Sequence, residues 1–259
     1  ISDDARGRVM GCVDAYIQIA LDACATYICC TLTSAARDAS NASDLLAELA
    51  RRDLDPQVIS GEVEGSLTFL GVAQDFARSR ILVADNGGGS TELALGSMVG
   101  GGVLDLECVC STDVGCRRIT ERFLSESDPP SGHDIEAARS FARESFSAAI
   151  AKEGILDRGP ALLVVTGGTA TSLVALEKRL DPYDATQVHC AVLWRERVDA
   201  LAAKLAALTV EERAALPGIQ AKRAPVILAG ALAISELMPQ TRVDFLTVSE
   251  SDLLFGLAI

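Results

Sequence analysis

The sequence contains few of the residues that build metal centres or disulfide frameworks. Its 259 residues include only two histidines, His133 and His189. Eight cysteines are present, but neither Cys29-Cys30 nor the Cys108-x-Cys110 segment has the C-x-x-C spacing of a zinc site. Because the cysteines lie in apolar patterns without framework spacing, we predict reduced thiols in the protein core.

Long apolar runs and a positive charge balance are missing as well. No apolar stretch reaches the roughly 18 residues that a membrane-spanning helix needs, and no signal peptide is recognisable, so we expect a cytoplasmic protein that does not bind membranes. Acidic residues outnumber basic ones by 36 to 23, and the formal net charge of −13 argues against DNA binding. An anionic ligand would need a local basic pocket. Arg117-Arg118 and Lys222-Arg223 could supply one, although either pair alone is typical of a solvated surface.

Hydrophobic periodicity predicts an α/β protein. Helices and strands alternate first, with helical periodicity at 3–25, 41–52 and 61–77 and strand-like runs at 27–32 and 57–60. Three strands joined by glycine turns are then predicted at 80–85, 92–96 and 103–111. Helices and strands alternate again after Pro129-Pro130. The change of pattern places a domain boundary near residue 83.

The most informative motif is Asp85-Asn86-Gly87-Gly88-Gly89-Ser90-Thr91-Glu92. Strand-like runs flank it on both sides, whereas a helix follows the glycines of Walker A and dinucleotide-binding loops. The main-chain N–H groups of such a turn can close on an anion, with the Ser90 and Thr91 hydroxyls beside them. Carboxylates at Asp85 and Glu92 then make sense mainly if a divalent cation lies between them and a phosphate. The alternative is a tight hairpin turn with solvated acids.

Seven segments, taken together and in order, resemble the exopolyphosphatase and guanosine pentaphosphate phosphohydrolase family in its short, two-domain form. They are residues 33–41, 59–65, 85–93, 111–118, 167–173, 223–224 with 229–231, and 248–250. The resemblance implies the actin-like, ribonuclease-H-like α/β fold, with two domains around a cleft. It assigns 1–82 to an N-terminal domain whose first strands and phosphate loop are absent from this sequence, and 83–259 to the C-terminal domain.

The resemblance also implies an activity. Members remove the terminal phosphate from inorganic polyphosphate or from guanosine pentaphosphate (pppGpp), so we expect a hydrolase that uses Mg²⁺ or Mn²⁺ and forms a homodimer. Two other functions stay open. One is a module that senses (p)ppGpp-like nucleotides without turnover, and the other is an actin-like ATPase.

Several residues take roles through the resemblance. Glu64 matches the glutamate that orients or deprotonates the attacking water, and Arg37 matches an arginine near the phosphates. The phosphate-binding set is Gly87, Gly88, Gly89, Ser90 and Thr91, the metal-binding pair is Asp85 and Glu92, and the further substrate contacts are Arg118, Gly167, Gly168 and Thr169. From the sequence alone, Glu64 is better explained as a solvated acid at a helix start, and Arg37 or Arg118 could form a structural ion pair.

Overall fold

The structure is a computed structural model that describes residues 1–77, 79–99 and 103–259. By its internal contacts, the chain divides into two compact units, Ile1–Val63 and Glu64–Ile259. Within the described residues, no helix is both long and apolar enough to cross a membrane.

The first unit combines helices with a pair of short strands. Its elements are α1 (Asp3–Asp22), β1 (Cys30–Leu32), α2 (Ser34–Arg37), α3 (Ala42–Ala50) and β2 (Pro56–Val58). The strands β1 and β2 pair in parallel. Leu45 and Leu49 lie four residues apart on α3, so they share one face and pack with Met10 of α1 in a small apolar cluster.

Helix α4 (Gly61–Ala73) starts in the first unit, and from Glu64 onward it belongs to the second. Its residues Phe69, Val72 and Ala73 are buried in a cluster with Ile81 of the following strand. This packing ties α4 to the sheet, and the contact boundary therefore comes about 20 residues before the one predicted near residue 83. The assignment of domains 1–82 and 83–259 stays a prediction.

Six strands form one mixed sheet in the described part of the second unit. They are β3 (Arg80–Asn86), β4 (Thr91–Val99), β5 (Val103–Thr112), β6 (Leu162–Thr166), β7 (Val192–Trp194) and β8 (Phe245–Val248), in the order β5-β4-β3-β6-β8-β7. The first three are the predicted antiparallel meander, while β3 and β6 pair in parallel with Asp85 opposite Thr166. Because parallel strands end at the same edge, the glycine turns that follow β3 and β6 are neighbours.

Helices complete the second unit. They are α5 (Cys116–Phe123), α6 (Gly132–Lys152), α7 (Gly168–Lys178), α8 (Ala185–Val188), α9 (Arg195–Ala206), α10 (Val210–Ala214), α11 (Ile227–Thr241) and α12 (Leu253–Ala258). Thr209 and Glu212 form a capping box at the start of α10. Almost every residue of α11 is buried, because α5, α6, α7 and α9 pack around it.

The cysteines differ from the prediction. All eight are free thiols, but Cys12, Cys24, Cys29 and Cys190 are exposed and the remaining four are half-buried. The prediction of core thiols is therefore wrong for the four exposed cysteines, whereas the four half-buried ones pack against the hydrophobic clusters. The physical reason is that apolar neighbours in sequence, as at 27–32, do not place a side chain inside when the strand itself is short and half-buried.

Candidate functional site

The glycine-rich motif forms a hairpin loop, as predicted. Asn86 pairs with Thr91 and Asp85 with Glu92, so residues 87–90 make the turn between β3 and β4. The Gly87 N–H donates to the Ser90 carbonyl at 3.0 Å and closes the turn. A strand follows the glycines, so any phosphate here would be bound by the turn itself and not by a helix that continues from it.

Helix α5 binds the carbonyl groups of the glycine loop. The first two glycine carbonyls accept hydrogen bonds from the main-chain N–H groups of Cys116, Arg117 and Arg118, at 3.0, 2.8 and 3.1 Å. The carbonyl of the third, Gly89, accepts from the Arg118 Nε at 2.7 Å. The residue before the helix, Gly115, allows this approach, because a Cβ atom there would overlap the backbone of the loop.

This arrangement orients the peptide units of the loop. The N–H groups of Gly88 and Gly89 donate to no acceptor in the described part of the chain, while their carbonyls are bound by α5. Gly88 is exposed and Gly89 half-exposed. Two main-chain donors that a fixed loop leaves available are the elements of an anion site.

The two hydroxyls beside the loop are already bonded. The Ser90 hydroxyl bonds the Glu92 carboxylate. The Thr91 hydroxyl is fully buried, donates to the Val114 carbonyl and accepts from Asn86 Nδ2 at 2.8 Å. The role of Thr91 in phosphate binding stays a prediction, and these contacts do not favour it because they occupy its hydroxyl within the hairpin.

Three carboxylates gather beside the loop. Glu64 lies in the first turn of α4, while Asp85 and Glu92 face each other across the hairpin. Glu64 and Glu92 are 9% and 2% exposed, respectively. The glycine at position 65 brings α4 down onto the sheet, since a Cβ atom there would lie 3.2 Å from the Glu92 Cβ. We conclude that the sheet and α4 hold the three acids in one partly desolvated group.

Hydroxyl groups orient two of these acids. The Thr68 hydroxyl, one helical turn after Glu64, donates to Asp85 Oδ2 at 3.0 Å. The Ser111 hydroxyl of β5 donates to Glu92 Oε1 at 2.8 Å. Such bonds fix carboxylate oxygens in one orientation, as the outer partners of ligating carboxylates commonly do.

The local electrostatics disfavour charge on both hairpin acids. Burial raises the pKa of Asp85 to about 6, with further increases from the negative charges of Glu64 and Asp252. Burial likewise raises the pKa of Glu92 to about 7, and the charge of Glu64 adds to the effect. A cation bound beside these carboxylates would reverse this repulsion.

The carboxylates beside the loop fit a divalent cation that needs few protein ligands. Within the described residues, no three Asp, Glu, His or Cys side chains are arranged as a complete ligand set. Mg²⁺ rarely needs one, because it retains several waters and takes one or two carboxylates together with substrate phosphates. Asp85 and Glu92, beside a loop with available N–H donors, fit that chemistry.

The second glycine turn lies against the first. Gly167 has a φ of +96°, and a Cβ atom there would lie 2.8 Å from the Asn86 carbonyl oxygen and 3.3 Å from Asp85 Oδ1. A Cβ atom on Gly168 would overlap the guanidinium of Arg223. The structure therefore brings Gly167, Gly168 and one arginine to the edge of the sheet that carries the acids.

The side chains of the remaining predicted residues make contacts that stabilise the protein itself. Thr169 is buried and packs against Gly230 of α11. Arg118 holds the glycine loop and pairs with Asp113 at 3.4 Å. In the first unit, Arg37 ends α2 and its Nη1 donates to the Ile59 carbonyl at 2.9 Å. Their roles in substrate contact stay predictions.

Sequence reasoning missed four residues that shape the site. Thr68 and Ser111 bond the acids, Asp252 adds charge next to Asp85, and Gly115 admits the loop. Two signals were available. Thr68 follows Glu64 by four positions, which is the same helical face, and Ser111 and Gly115 lie inside the 111–118 segment that carried the resemblance.

Comparisons with known proteins agree with this geometry. A sequence model of the Ppx/GppA phosphatase family matches residues 1–257. Exopolyphosphatase 2 of Mycobacterium tuberculosis is 35% identical over 244 residues, covering 88% of this chain and 72% of that protein. Exopolyphosphatase 1 of Mycobacterium leprae is 30% identical over 263 residues, covering 100% of this chain and 75% of that protein.

Structural comparison gives the same result. The crystal structure of the Aquifex aeolicus Ppx/GppA family member matches with a TM-score of 0.81 and 28% sequence identity, covering 100% of this chain and 81% of that one. This likeness confirms the expected α/β fold of the actin-like type. Since both the sequence match and the structural match extend over nearly the whole chain, the protein belongs to the Ppx/GppA phosphatase family.

Proposed function

We propose that this protein is a metal-dependent phosphohydrolase that removes the terminal phosphate from inorganic polyphosphate, and that pppGpp is a second substrate. The main observation in support of this activity is the glycine loop, whose two available N–H donors lie beside three carboxylates. The relatives named exopolyphosphatases support the choice of polyphosphate.

Hydrolysis of a phosphoanhydride depends mainly on positioning and electrostatics. The transferring phosphoryl group needs donors for its oxygens, a neutralising charge and a water molecule in line with the leaving group. The N–H groups of Gly88 and Gly89 are suited to the phosphoryl oxygens, because α5 and Arg118 already fix the loop. The loop would then need little reorganisation as negative charge develops on the phosphoryl oxygens in the transition state.

Asp85 and Glu92 are the residues that would hold Mg²⁺ or Mn²⁺. When bound, such an ion neutralises charge on phosphate oxygens. The Thr68 and Ser111 hydroxyls would keep the two carboxylates in position. Glu64 would then orient or deprotonate the attacking water. It is a buried carboxylate near both acids, and it lies on α4 and not on the hairpin that carries them.

Both proposed substrates end in the same group. Polyphosphate and pppGpp each carry a terminal phosphate linked through an anhydride, so one loop and one acid group could serve both. Arg223, packed against Gly168, supplies positive charge beside the second glycine turn and is suited to phosphates beyond the terminal one. This agrees with the basic pocket that an acidic protein would need.

The test is phosphate release by the purified protein with Mg²⁺ from polyphosphates of defined length, pppGpp and ATP. We expect release from polyphosphate and pppGpp, little from ATP, and loss of all release when EDTA is added. If polyphosphate or pppGpp bound tightly but released no phosphate at any metal concentration, the hydrolase proposal would be wrong and a sensing role would be favoured.

A further inference from the structure

A third turn lies at the sheet edge that carries the two glycine turns. Strand β8 runs parallel to β6, so residues 249–252, which follow β8, begin at the same edge. The Thr166 hydroxyl at the end of β6 donates toward the carbonyls of Ser249 and Ser251, at 3.2 and 2.9 Å. Thr166 itself is the partner of Asp85 in the sheet. The turn 249–252 is therefore joined to the strand ends that carry one of the proposed metal-binding acids.

The turn also brings charge next to that acid. Asp252 caps α12, since its Oδ1 accepts from the Leu254 N–H at 2.8 Å. After burial and the charge of Glu64, the charge of Asp252 is a further cause of the raised pKa of Asp85. The turn touches α4 as well, because a Cβ atom on Gly71 would lie 2.5 Å from the Asp252 carbonyl oxygen. A shift of the turn would thus affect both Asp85 and the helix that carries Glu64.

His189 holds the backbone of this turn. Its Nδ1 accepts from the Glu250 N–H at 3.3 Å, while its Nε2 lies 3.6 Å from Asp75 Oδ2. Asp75 lies just after α4, in the single helical turn Gln74–Phe76, and its Oδ2 also accepts from the Ser251 hydroxyl at 2.9 Å. One imidazole and one carboxylate therefore tie the turn 249–252 to the segment after α4.

The bond to the turn requires a particular protonation state of the ring. A ring nitrogen that accepts a hydrogen bond carries no proton, so this bond assigns the proton of neutral His189 to Nε2, which faces Asp75. A second proton would enter at Nδ1, where it would face the Glu250 N–H as donor against donor. Protonation would therefore break the bond. The attraction between the imidazolium and Asp75 would increase, but both side chains are about one-third exposed, so the gain is small.

The other ionisable groups around the ring are already neutral or engaged. Cys190 follows in the chain, and burial and then the charge of Asp75 raise the pKa of its thiol. The Glu250 carboxylate accepts a hydrogen bond from the Tyr183 hydroxyl. Asp184, at the opposite end of α8, is bonded within its own helix. Asp75 is therefore the carboxylate that acts directly on the ring.

We propose that His189 is a pH-sensitive positioning residue of the phosphatase site. The neutral ring fixes the turn 249–252 beside Asp85, and the protonated ring loosens it. Histidine is the side chain that ordinarily changes charge between about pH 5 and 8, so the loosening belongs to mildly acidic conditions. The tautomer and its bond do not depend on the proposed function, whereas the effect on turnover rests on it.

NMR can follow the ring directly, because the chain contains only two histidines. The exposed ring of His133 serves as the internal reference. Nitrogen-15 spectra of the full chain should show neutral His189 with its proton on Nε2. On lowering the pH from about 8 to about 5, the Glu250 amide signal should move with the midpoint of the His189 ring. A neutral ring with its proton on Nδ1, or a Glu250 amide that does not follow the ring, would overturn the proposal.

Asparagine provides the matched variant. Its Oδ1 takes the place of Nδ1 and accepts from the Glu250 N–H at every pH, so His189→Asn keeps the bond and loses the titration. Protonation of Asp85 and Glu92 affects both proteins alike and cancels in the ratio of their activities.

We expect equal kcat/KM for polyphosphate at about pH 8 and a wild type about fivefold below His189→Asn at about pH 5.5, the loss expected for one hydrogen bond. A ratio that does not change with pH would overturn the positioning role. If neither protein released phosphate at any pH, the proposed function would fail, and the NMR titration would decide whether His189 holds the turn.

Discussion

Gly115 lies so close to Gly88 that a Cβ atom on Gly115 would overlap the Gly88 carbonyl oxygen. The contact joins two segments that are 27 positions apart in the sequence. It is the point at which α5 meets the glycine loop, and the hydrogen bonds from the α5 main chain to the loop depend on it. The geometry of the proposed phosphate site is therefore set by a residue outside the loop.

Gly115→Ala should disturb the loop without changing any group that contacts substrate. Backbone cannot move aside as a flexible side chain can, so the loop must shift, and a displacement of about 1 Å can cost a hundredfold in turnover. We expect kcat/KM for polyphosphate to fall by roughly that factor. Gly132→Ala is the matched control, because a Cβ atom there meets nothing within 4 Å. Equal activities of the two variants would show that the close approach of Gly115 to the loop does not matter for turnover.

Arg118→Gln should weaken substrate binding through the loop. The substitution removes the bond from Nε to the Gly89 carbonyl at 2.7 Å, so the third glycine is no longer fixed. A charged hydrogen bond of this type contributes about 1.5–3 kcal/mol, and we expect KM for polyphosphate to rise about tenfold. Arg117→Gln is the control, since that side chain is 73% exposed and pairs with Glu121 on the surface. Steady-state kinetics on both variants give the comparison, and a similar rise in each would point to general surface charge.

Strong local patterns predicted most of the fold. In α6, for example, the sequence repeats apolar residues at helical spacing, and the side chains of this stripe, Ala138, Ala142, Phe146 and Ile150, are all buried. Strand β7 was missed because it has three residues at the sheet edge, and two of them, Val192 and Trp194, are exposed. Its sequence therefore lacks a buried-strand pattern, and its pairing with β8 is a tertiary effect.

The site was predictable to a similar degree. A hairpin requires that Asp85 and Glu92 face each other once the glycines make the turn, so the pair followed from the motif. Helix α5 did not follow from any pattern, because Ile119 is its one fully buried residue and its place is fixed by bonds to the loop. The bonds of Thr68 and Ser111 to the acids depend on how α4 and β5 pack on the hairpin, which the helical spacing from Glu64 and the 111–118 segment indicate only in part.

The buried acids should make the metal-free protein less stable as pH rises. Asp85 has a pKa of about 6 when folded and an ordinary value of 3.8, and Glu92 has about 7 against 4.5. The folded protein therefore binds more protons than the unfolded chain between about pH 4 and pH 7, and the free energy of unfolding falls across that window. With EDTA present, we expect the melting temperature to decrease from pH 5 to pH 8.

Asp85→Asn separates this effect from other titrating groups. The variant should melt above the wild type at pH 8 by a few degrees and close to it at pH 5, because the uncompensated charge is gone. Added Mg²⁺ should raise the melting temperature of the wild type more than that of the variant. A difference between the two proteins that does not change with pH would contradict the desolvated state of this carboxylate.

Glu64→Gln should separate binding from turnover. Glutamine keeps the shape of the buried side chain and one accepting oxygen, but it cannot accept a proton from water, so the loss belongs to the chemical step. We expect kcat for polyphosphate to fall at least about a hundredfold, with little change in KM. The control is Glu62→Gln, two positions earlier, where the residue is exposed. Phosphate release under saturating polyphosphate and Mg²⁺ gives the comparison. Full activity in Glu64→Gln would remove Glu64 from the reaction, and an equal loss in Glu62→Gln would assign the effect to the charge of the helix start instead.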